Sequence, residues 1–514
     1  MKKQLLNRLF VMAISGILAI NVNAANGTFG GGDGSDETPF LIEDAADLNA
    51  VRDNLTASYQ LANDIDLAEW IASNSPTDGW DPIADFKGNL DGNGFVISGL
   101  WIERATTNNV GLFGSLPGAT IKNLGVIIPD GKRIIGNQYV GGIVGHTPYT
   151  TTAILIENCF VTGGTIEAKG QAAGGIMGYT SSNSVVVSIR NCYTANSTII
   201  SNDGCGGIMG TAYRSILIEN CFSTSAIVST NNDKAAGGII GGVNDQGASY
   251  TIKNSVALNP SIASSTSGRI VGWIKTPSKT VFADNVALTG MPLNGSTVTG
   301  VATDKHGLDK TAKELATEAA YAGWDFENTW TMSNGAFPFP VLKVFATTIQ
   351  PQAFPTGAVY AYTVDVTTSV DGTGGTISDS ETGLSAGNNS VTITLTPDAN
   401  MTLASLLVNG VDKKDDVVSN QYTLTDIVAD YTVEATFTST TGISDSTNDG
   451  LIVYLGVDNT ITVKNKLSGA QVSVFDAMGH AVAVTNSDQL NISFFPKGIY
   501  FVKVQNKVTK IIKK

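Results

Sequence analysis

The sequence predicts an all-β chain whose largest part is a right-handed parallel β-solenoid, a coil of short strands stacked on one another. Three observations support this fold class. A glycine-rich motif recurs every 31–33 residues, an asparagine motif recurs in phase with it, and the segments between them are β-branched runs broken by Gly and Asn. Two series with one period indicate a repeat of six or more coils.

The glycine motif marks the turns of the predicted coil. Paired glycines let the backbone turn tightly or reach positive φ, and about ten residues per side fit a three-sided coil. The motif occurs in six segments: 110–114, 141–145, 174–178, 206–210, 237–241 and 267–272.

The asparagines of the second motif are predicted to form a ladder. Asparagine tolerates the left-handed backbone conformation, and stacked amides hydrogen-bond from one strand layer to the next. The predicted structural ladder consists of Asn123, Asn158, Asn191, Asn220, Asn254 and Asn285.

The residue before each of these asparagines alternates in charge. Opposite charges on adjacent strands stabilise a sheet and like charges destabilise it, so the alternation predicts stacking in register. Glu157 and Glu219 are therefore interpreted as members of a solvated charge column and not as a catalytic carboxylate pair. The column reads Lys122, Glu157, Arg190, Glu219, Lys253 and Asp284.

The four cysteines follow the repeat. Cys159, Cys192 and Cys221 come directly after ladder asparagines, where other coils carry Leu, Ser or Val, and Cys205 occupies a position that is Val or Ala elsewhere. Such replacements predict small buried side chains. An oxidised pair in an exported protein is the alternative, and no CxxC spacing indicates a metal or redox site.

Composition narrows the classes of function. The chain has 514 residues, 56 of them glycine, 15% charged residues and a formal net charge of −14. An acidic chain without a basic face is a poor ligand for phosphates, which argues against nucleic acid as a partner. Three histidines and four cysteines offer little material for metal or nucleophilic chemistry, so no cofactor is expected.

The N-terminus predicts export. Lys2, Lys3 and Arg8 precede the apolar run 9–20, and small residues suited to cleavage follow, so residues 1–24 are predicted to be a signal peptide. No other apolar stretch reaches the length of a transmembrane helix, and the mature chain is expected to lack one.

The ends of the solenoid are predicted to carry caps. The spacing of apolar residues in 43–55 indicates a helix over the first coil. A second helix is expected at 311–321, with Trp324 and Trp330 covering the last coil. Asp33, Asp36 and Glu37 are candidate ligands for a structural Ca²⁺ ion, although their spacing is not that of an EF-hand and a solvated terminus is preferred.

Residues 36–344 resemble a known family. The segments Gly141–Gly145 and Ile156–Gly163 are similar to the GLUG-motif repeat of secreted bacterial proteins, and the flanking segments 40–48 and 321–342 are similar to its ends. The resemblance implies a β-helix on a secreted or surface protein. Residues 25–344 are therefore assigned to one GLUG-type solenoid domain with its caps.

Two smaller β modules are expected after the solenoid. A linker at 345–361 leads to a small β repeat or spacer domain at 362–437, and a Ser/Thr/Asp-rich linker at 438–449 leads to a last module at 450–514. The last module resembles the type IX secretion sorting domain of Bacteroidota. That resemblance implies the secretion machinery as a partner and a location in the medium or on the outer surface of a Gram-negative cell.

No catalytic constellation is recognised. There is no HExxH motif, and His146, His306 and His480 are widely separated in the sequence, so an enzyme is not expected. The function predicted instead is an adhesin-like surface protein that binds an extracellular glycan or protein. Two alternatives are a polysaccharide lyase or glycoside hydrolase, which predicts carboxylates gathered in one groove, and a purely structural surface-layer protein.

Aromatic residues after the glycine motifs suggest the binding surface. In-register coils place them on one side of the solenoid, where a row of rings suits stacking on a glycan or an extended partner. Ordinary loop packing is the alternative. The predicted ligand-binding residues are Tyr149, Tyr179, Tyr213 and Trp273.

Overall fold

The structure is a computed structural model. It describes residues 29–181, 186–244, 248–333, 338–350, 363–387, 389–439, 451–505 and 507–514. The predicted signal peptide, residues 1–24, lies outside the described residues, as do positions 351–361 and 440–449 of the two predicted linkers.

The solenoid consists of parallel strands, as predicted, but within the described residues each full coil passes through four sheets instead of three sides. The difference arises at the glycine pairs. Gly174 ends one strand and Met177 begins the next, so the pair makes a corner between two sheets.

The strands of sheets 1 and 2 are short and pair with the equivalent strand of the next coil. Sheet 1 contains Phe40–Ile42, Ser58–Leu61, Asn89–Asp91, Thr120–Lys122, Ile154–Glu157, Val187–Arg190, Ile216–Glu219, Tyr250–Lys253 and Thr280–Ala283. Sheet 2 contains Ile65–Asp66, Val96–Ser98, Gly125–Ile127, Phe160–Thr162, Tyr193–Ala195, Phe222–Ser223, Val256–Ala257, Val286–Leu288 and Leu308–Lys310.

Sheets 3 and 4 lie on either side of the glycine corner. Sheet 3 contains Ile102–Glu103, Arg133–Gly141, Thr165–Gly174, Thr198–Ser201, Cys205–Gly206, Ala226–Ser229, Ala235–Gly237, Ile262–Ala263 and Thr266–Gly268. Sheet 4 contains Phe113–Ser115, Val144–Thr147, Met177–Thr180, Met209–Ala212, Ile240–Val243 and Val271–Ile274.

The core is built from columns of equivalent residues. In sheet 1, Ile156 pairs with Ile189 and Ile189 with Ile218, and all three side chains are buried. Because every coil repeats the same inward position, burying one isoleucine after another removes a continuous apolar surface from water.

The asparagine ladder follows the corner between sheets 1 and 2. Each side-chain amide donates to the amide oxygen of the preceding coil at 3.1–3.2 Å, and Asn123 donates to a carboxylate oxygen of Asp91 at 2.9 Å. The ladder residues have positive φ, from 50 to 54°, which asparagine accepts at low cost. The bonded members are Asn123, Asn158, Asn191, Asn220 and Asn254.

Asn285 is not a ladder residue, and this part of the prediction is wrong. Lys253 pairs with Ala283, so Asp284 takes the ladder position, where its φ is +52°. Asn285 is fully buried one position further on. Its amide donates to the carbonyl of Ile252 at 2.7 Å and its oxygen accepts from the backbone N–H of Ser255 at 3.1 Å. Aspartate occupies the left-handed region nearly as well as asparagine, so the register holds without an amide there.

The charge column is in register but begins and ends one coil earlier than predicted. Asp91 precedes Lys122, and Ala283 replaces the expected Asp284 at the far end. Lys122 pairs with Asp91 at 3.2 Å, and Glu219 pairs with Lys253 at 2.6 Å and with Arg190 at 3.6 Å. The carboxylates thus alternate with basic groups along the sheet.

All four cysteines are buried and free. Cys159, Cys192 and Cys221 lie under the asparagine corner in three successive coils. Two coils after Cys221, the equivalent position is Asn285. Burial raises the pKa of the Cys192 thiol, so the thiol stays protonated. Cys205 pairs with Ala173 and Ala236, as the repeat predicts.

Helices at the start of the chain cover the first coils. Helix α1 (Ala45–Ala50) begins after Asp44, whose carboxylate accepts from the backbone N–H groups of Ala46 and Asp47, and it continues as a 3₁₀ turn at Val51–Asp53. Leu48 and Val51 are buried in the core, so the expected N-terminal helix is present but shorter. Helix α2 (Ala68–Asn74) was not expected from the sequence.

The C-terminal cap differs from the prediction. Helix α3 (Ala312–Leu315) has a capping box of Thr311 and Glu314 but spans only four residues, and a 3₁₀ turn follows at Glu318–Ala320. The last coil carries Arg269 where other coils carry the second glycine. Its guanidinium is fully buried and bonds to Asp309 and to main-chain carbonyls.

Residues 321–333 and 338–350 lie along sheet 2 and are called the strap, and the two tryptophans belong to it. Trp324 donates to the carbonyl of Asn254 at 2.7 Å, and the Trp330 ring lies 6.2 Å from that of Phe222. Further along, a Cβ built on Gly94 would lie 2.2 Å from the carbonyl oxygen of Val344. The tryptophans therefore cover the flank of the inner coils and not the last coil, because the chain turns back along the solenoid.

The strap contains a pair of antiparallel strands, Trp330–Met332 and Pro340–Leu342, and a 3₁₀ turn at Thr347–Ile349. Another 3₁₀ turn, Pro277–Lys279, lies within the last coils.

The segment 363–439 is a β module with the predicted alternation. Val391, Ile393 and Leu395 are buried and their neighbours are exposed, and Val408 pairs with Val411 across the expected hairpin turn. Its strands are Thr363–Asp371, Gly375–Ile377, Glu381–Ser385, Ser390–Pro397, Met401–Val408, Val411–Asp412, Gln421–Thr425 and Tyr431–Ser439, with a 3₁₀ turn at Lys414–Asp416.

The last module, residues 451–514, has its own apolar core. Three strands form one sheet: Ile452–Leu455, Thr460–Lys464 and Gln489–Asn491. Four strands form the second: Val472–Phe475, Ala481–Thr485, Gly498–Val504 and Lys507–Lys513.

The chain divides into two compact units by its internal contacts. Of the described residues, the first contains those between 29 and 365 together with 381–391 and 424–430, and the second contains those in 366–380, 392–423 and 431–514. The domain boundaries given above from the sequence stay a prediction.

Candidate binding surface

One outward column of sheet 4 carries rings at two places. The column follows the last glycine of each motif and pairs His146 with Tyr179, Tyr179 with Thr211, Thr211 with Gly242 and Gly242 with Trp273. The small residues between Tyr179 and Trp273 span three coil steps, about 14 Å at the spacing of β-strands. Between these two rings the column carries only Thr211 and Gly242, and this stretch of small residues is called the floor.

Tyr139 and His146 extend the ring cluster at one end of this floor. The Tyr139 ring stacks on that of Tyr179 with centroids 4.3 Å apart and on that of His146 at 5.1 Å. The Tyr213 ring lies 6.4 Å from Tyr179, and the guanidinium carbon of Arg214 lies 4.7 Å above Tyr213. Offset stacking and a cation over a ring are both favourable contacts.

Tyr139 adopts a backbone conformation that is unusual for its type. Its φ is +60°, in the left-handed region where a bulky side chain is an outlier. The same position in the neighbouring coils is Asn109, Ala172 and Gly204, all with positive φ. The column geometry thus imposes this conformation, and the tyrosine keeps it while its ring stacks and its hydroxyl bonds to Gln171 at 3.2 Å.

Burial keeps His146, Tyr139 and Tyr179 uncharged around neutral pH. Burial lowers the pKa of His146 from 6.5 to about 4 and raises the pKa of Tyr139 and of Tyr179 above their usual value. The Nε2 atom of His146 and the hydroxyl of Ser181 are 2.8 Å apart, at hydrogen-bond distance. Among the described residues, no carboxylate hydrogen-bonds to this histidine.

The four predicted residues do not form one row. Tyr179 and Trp273 share the column, whereas Tyr149 and Tyr213 lie in turns that follow it. Tyr149 and Trp273 are the more accessible, with 61% and 38% of their surface exposed, and Tyr179 and Tyr213 are partly buried in the ring cluster.

Sequence reasoning missed Tyr139 and His146, although a signal for His146 is present. His146 follows its glycine motif directly, as Tyr179 does, so aligning that single position would have placed the two side by side. Tyr139 belongs to a sheet 3 strand and reaches Tyr179 across the glycine corner, and no repeat position in the sequence predicts that contact.

Several carboxylates of the solenoid form ion pairs with basic groups. Glu167 pairs with Arg133 and Lys169, Asp203 with Lys234, and Glu219 with its column neighbours. In the part of the chain that the structure describes, no group of three or more His, Cys, Asp or Glu side chains is placed to hold a metal ion.

The candidate Ca²⁺ ligands make local hydrogen bonds. Asp33 accepts from Thr38 and Ser35, which lowers the pKa of its carboxyl to about 2, and Asp36 accepts from Ser58 and Asn89. Each of the two aspartates accepts these bonds through its Oδ1 atom.

The end of the chain matches a protein-family model. Residues 457–514 match the model described as "Secretion system C-terminal sorting domain". The last module is a sorting domain. It directs the protein through the type IX pathway to the outer cell surface or the extracellular space, so the predictions of this module and of the compartment are confirmed.

Two curated relatives match parts of the chain. A "Putative Gly-rich membrane protein" of Evansella cellulosilytica is 44% identical over 97 residues, which are 18% of this chain and 11% of that protein. "Halomucin" of Haloquadratum walsbyi is 32% identical over 219 residues, 41% of this chain and 2% of that protein. The matched region thus spans only a small part of either relative.

One solved structure covers the larger part of the chain. It is the crystal structure of a "putative immunoglobulin A1 protease" from Bacteroides ovatus, 27% identical, which covers 62% of this chain and 95% of that one with a TM-score of 0.49. The GLUG-type assignment of residues 36–344 stays a prediction. No helix among the described residues is long and apolar enough to cross a membrane.

Proposed function

We propose that this secreted protein is an adhesin-like binding protein that holds an extracellular glycan along sheet 4 of its solenoid. The observation that carries the proposal is the low floor of Thr211 and Gly242 between the rings of Tyr179 and Trp273. Sugars stack on aromatic faces and bond to hydroxyl and guanidinium groups, and both kinds of group occur here, in the tyrosines and Arg214.

Gly242 is buried in the floor, and its neighbours leave room for a side chain. A Cβ built on Gly242 would lie 3.5 Å from its nearest neighbour atom, the Cβ of Ala235, which is an ordinary contact distance. The fold therefore does not require glycine at this position, in contrast to the motif glycines. Gly242 is buried and the Trp273 ring passes 3.9 Å from that Cβ position, so a ligand that lies across the strands would stack on the exposed side of this ring.

A binding experiment on the full-length protein tests the proposal. We expect binding to a glycan array, weakened at least about tenfold by the combined changes Tyr149→Ala, Tyr213→Ala and Trp273→Ala, because truncating central aromatic anchors removes about 2 kcal/mol or more of binding free energy. Gly242→Val fills the floor with a residue suited to a strand and is expected to weaken binding as well. Tyr454→Ala, an exposed tyrosine of the sorting domain, is the control.

Four results would contradict the proposal. Undiminished glycan binding by the triple variant would move the site elsewhere. Capture of a protein ligand with no glycan binding would change the ligand class. Cleavage of a polysaccharide by the purified protein would indicate an enzyme, and neither binding nor turnover would favour a structural surface-layer role.

A further inference from the structure

The sorting domain has an apolar sheet face that points away from its core. In the four-stranded sheet, Val474, Val502 and Ile511 face the core. Residues on the opposite side of the same strands would normally be polar. Instead that side carries Phe475, Phe501, Ile499 and Ile512 together with Lys503 and Lys510, a set that we call the outer face.

The strand register brings the apolar members together. Phe475 pairs with Phe501, and Ile499 pairs with Ile512. The two phenylalanines are partly buried, while Ile499 and Ile512 expose 38% and 57% of their surface. A partly buried aromatic centre with accessible aliphatic side chains beside it is the arrangement found at the core of protein interfaces.

Charge limits what can cover the outer face. Residues 489–514 contain six lysines and no acidic residue. Lys507 donates to the carbonyl of Leu451, and Lys513 donates to the carbonyls of Ile492, Ser493 and Phe495, so these two serve the fold of the module. Lys503 and Lys510 lie on the outer face and are exposed.

We propose that the outer face is the surface by which a protein of the secretion machinery holds the sorting domain. The partner would present apolar side chains to Phe475, Phe501, Ile499 and Ile512, and acidic side chains to Lys503 and Lys510. A second copy of this chain fits less well, because a two-fold contact through this face would bring lysines of both copies together at one small interface.

The proposal is tested by export of the full-length protein from a bacterium that has the type IX pathway. We expect Ile499→Asp with Ile512→Asp to lower the fraction that reaches the surface and medium at least about tenfold, the effect of losing about 1.4 kcal/mol of binding. Lys503→Glu with Lys510→Glu, at exposed positions that leave the core untouched, is expected to lower it in the same direction.

Val457→Asp with Leu467→Asp is the matched control, since both residues are exposed and belong to the same module but not to the outer face. Control export within about twofold of the unmodified protein is expected. Normal export of both outer-face variants would overturn the proposal, as would equal retention of the control. If the purified unmodified protein is dimeric and Ile512→Asp makes it monomeric, the face binds a second copy and the proposal is wrong.

Thermal unfolding of each purified variant separates loss of recognition from loss of fold. The outer-face variants are expected to unfold at the temperature of the unmodified protein, within a few degrees. If the isoleucine variant is not exported and is also unfolded, its loss of export reflects loss of fold. The export of the folded variant Lys503→Glu with Lys510→Glu then tests the proposal.

Discussion

A stack of rings in sheet 2 and a stack between sheets 3 and 4 differ in what covers them. Phe160, Tyr193 and Phe222 stack in register in sheet 2, with centroids 4.7–5.2 Å apart and ring planes within 10° of parallel, and all three are fully buried. Tyr139 and Tyr179 stack across the corner between sheets 3 and 4 with ring planes 20° apart, and they stay partly accessible.

The strap accounts for the difference. Trp330 and Phe345 contact the sheet 2 stack, and the hydroxyl of Tyr193 donates to Gln350 at 2.8 Å. The same principle of stacking equivalent residues therefore produces hydrophobic core where a segment covers the column and a candidate binding surface where it does not. Four experiments test this comparison, from the most covered column to the most exposed.

Truncation of the covered stack should lower the free energy of unfolding more than any other change. Tyr193→Ala removes a fully buried ring and leaves a cavity, so we expect the free energy of unfolding of the solenoid to fall by about 3–5 kcal/mol. The measurement is the urea midpoint of the solenoid transition in the full-length protein. Tyr179→Ala is the matched change in the open stack and should cost about 1 kcal/mol. Equal losses would show that both stacks are core.

The asparagine ladder is half covered and should show an intermediate effect. Asn191→Ala removes two amide bonds and forces alanine to a φ of +50°, so a loss of about 2–3 kcal/mol is expected. Asn191→Gly keeps the left-handed conformation accessible and loses only the bonds, so it should cost about 1 kcal/mol less. If alanine and glycine cost the same, backbone conformation contributes nothing at this corner.

The open ring cluster should make stability depend on pH through His146. Its pKa is about 4 in the folded protein and 6.5 in the unfolded chain, so the unfolded chain takes up the proton first as the pH falls. The contribution of His146 is complete above pH 6.5 and is lost as the pH falls toward 4. We expect His146→Gln to flatten the rise of the unfolding midpoint between pH 4 and 6.5. An unchanged slope would mean that the ring is not buried.

The charge column is the most exposed and should give the smallest effect. Arg190→Glu places a third carboxylate between Glu157 and Glu219 and should cost about 1 kcal/mol at low salt, and less at 1 M salt where charges are screened. Arg190→Gln, which removes the charge without reversing it, should cost less than half as much. A loss that does not depend on salt would point to packing of the arginine stem instead.

The sequence predicted the periodic part of this molecule well. A period of 31–33 residues fixes which residues stack, so the columns of Asn, Cys and alternating charges could be assigned without coordinates. The assignment failed at Asn285 because an Asp-Asn pair allows two alignments, and only the backbone pairing of Ala283 with Lys253 decides between them.

The repeat pattern did not predict the contacts of the non-periodic parts. The strap packs on residues 70–250 positions earlier in the chain through side chains that share no repeat position, so nothing in its sequence says which sheet it covers. Tyr139 was missed for a related reason: its contact with Tyr179 joins two sheets around a corner, while the sequence pattern describes each sheet alone.

The strap also sets the length of the solenoid. It contacts the coil of Asn254 at one end and the coil of Gly94 at the other, five coil steps or about 24 Å apart. Inserting one coil would preserve every ladder but move these two anchor points about 4.8 Å further apart, more than one extended residue can span. The length of the strap thus has to match the number of coils, and a change in the number of coils requires a matching change in a segment outside the repeat.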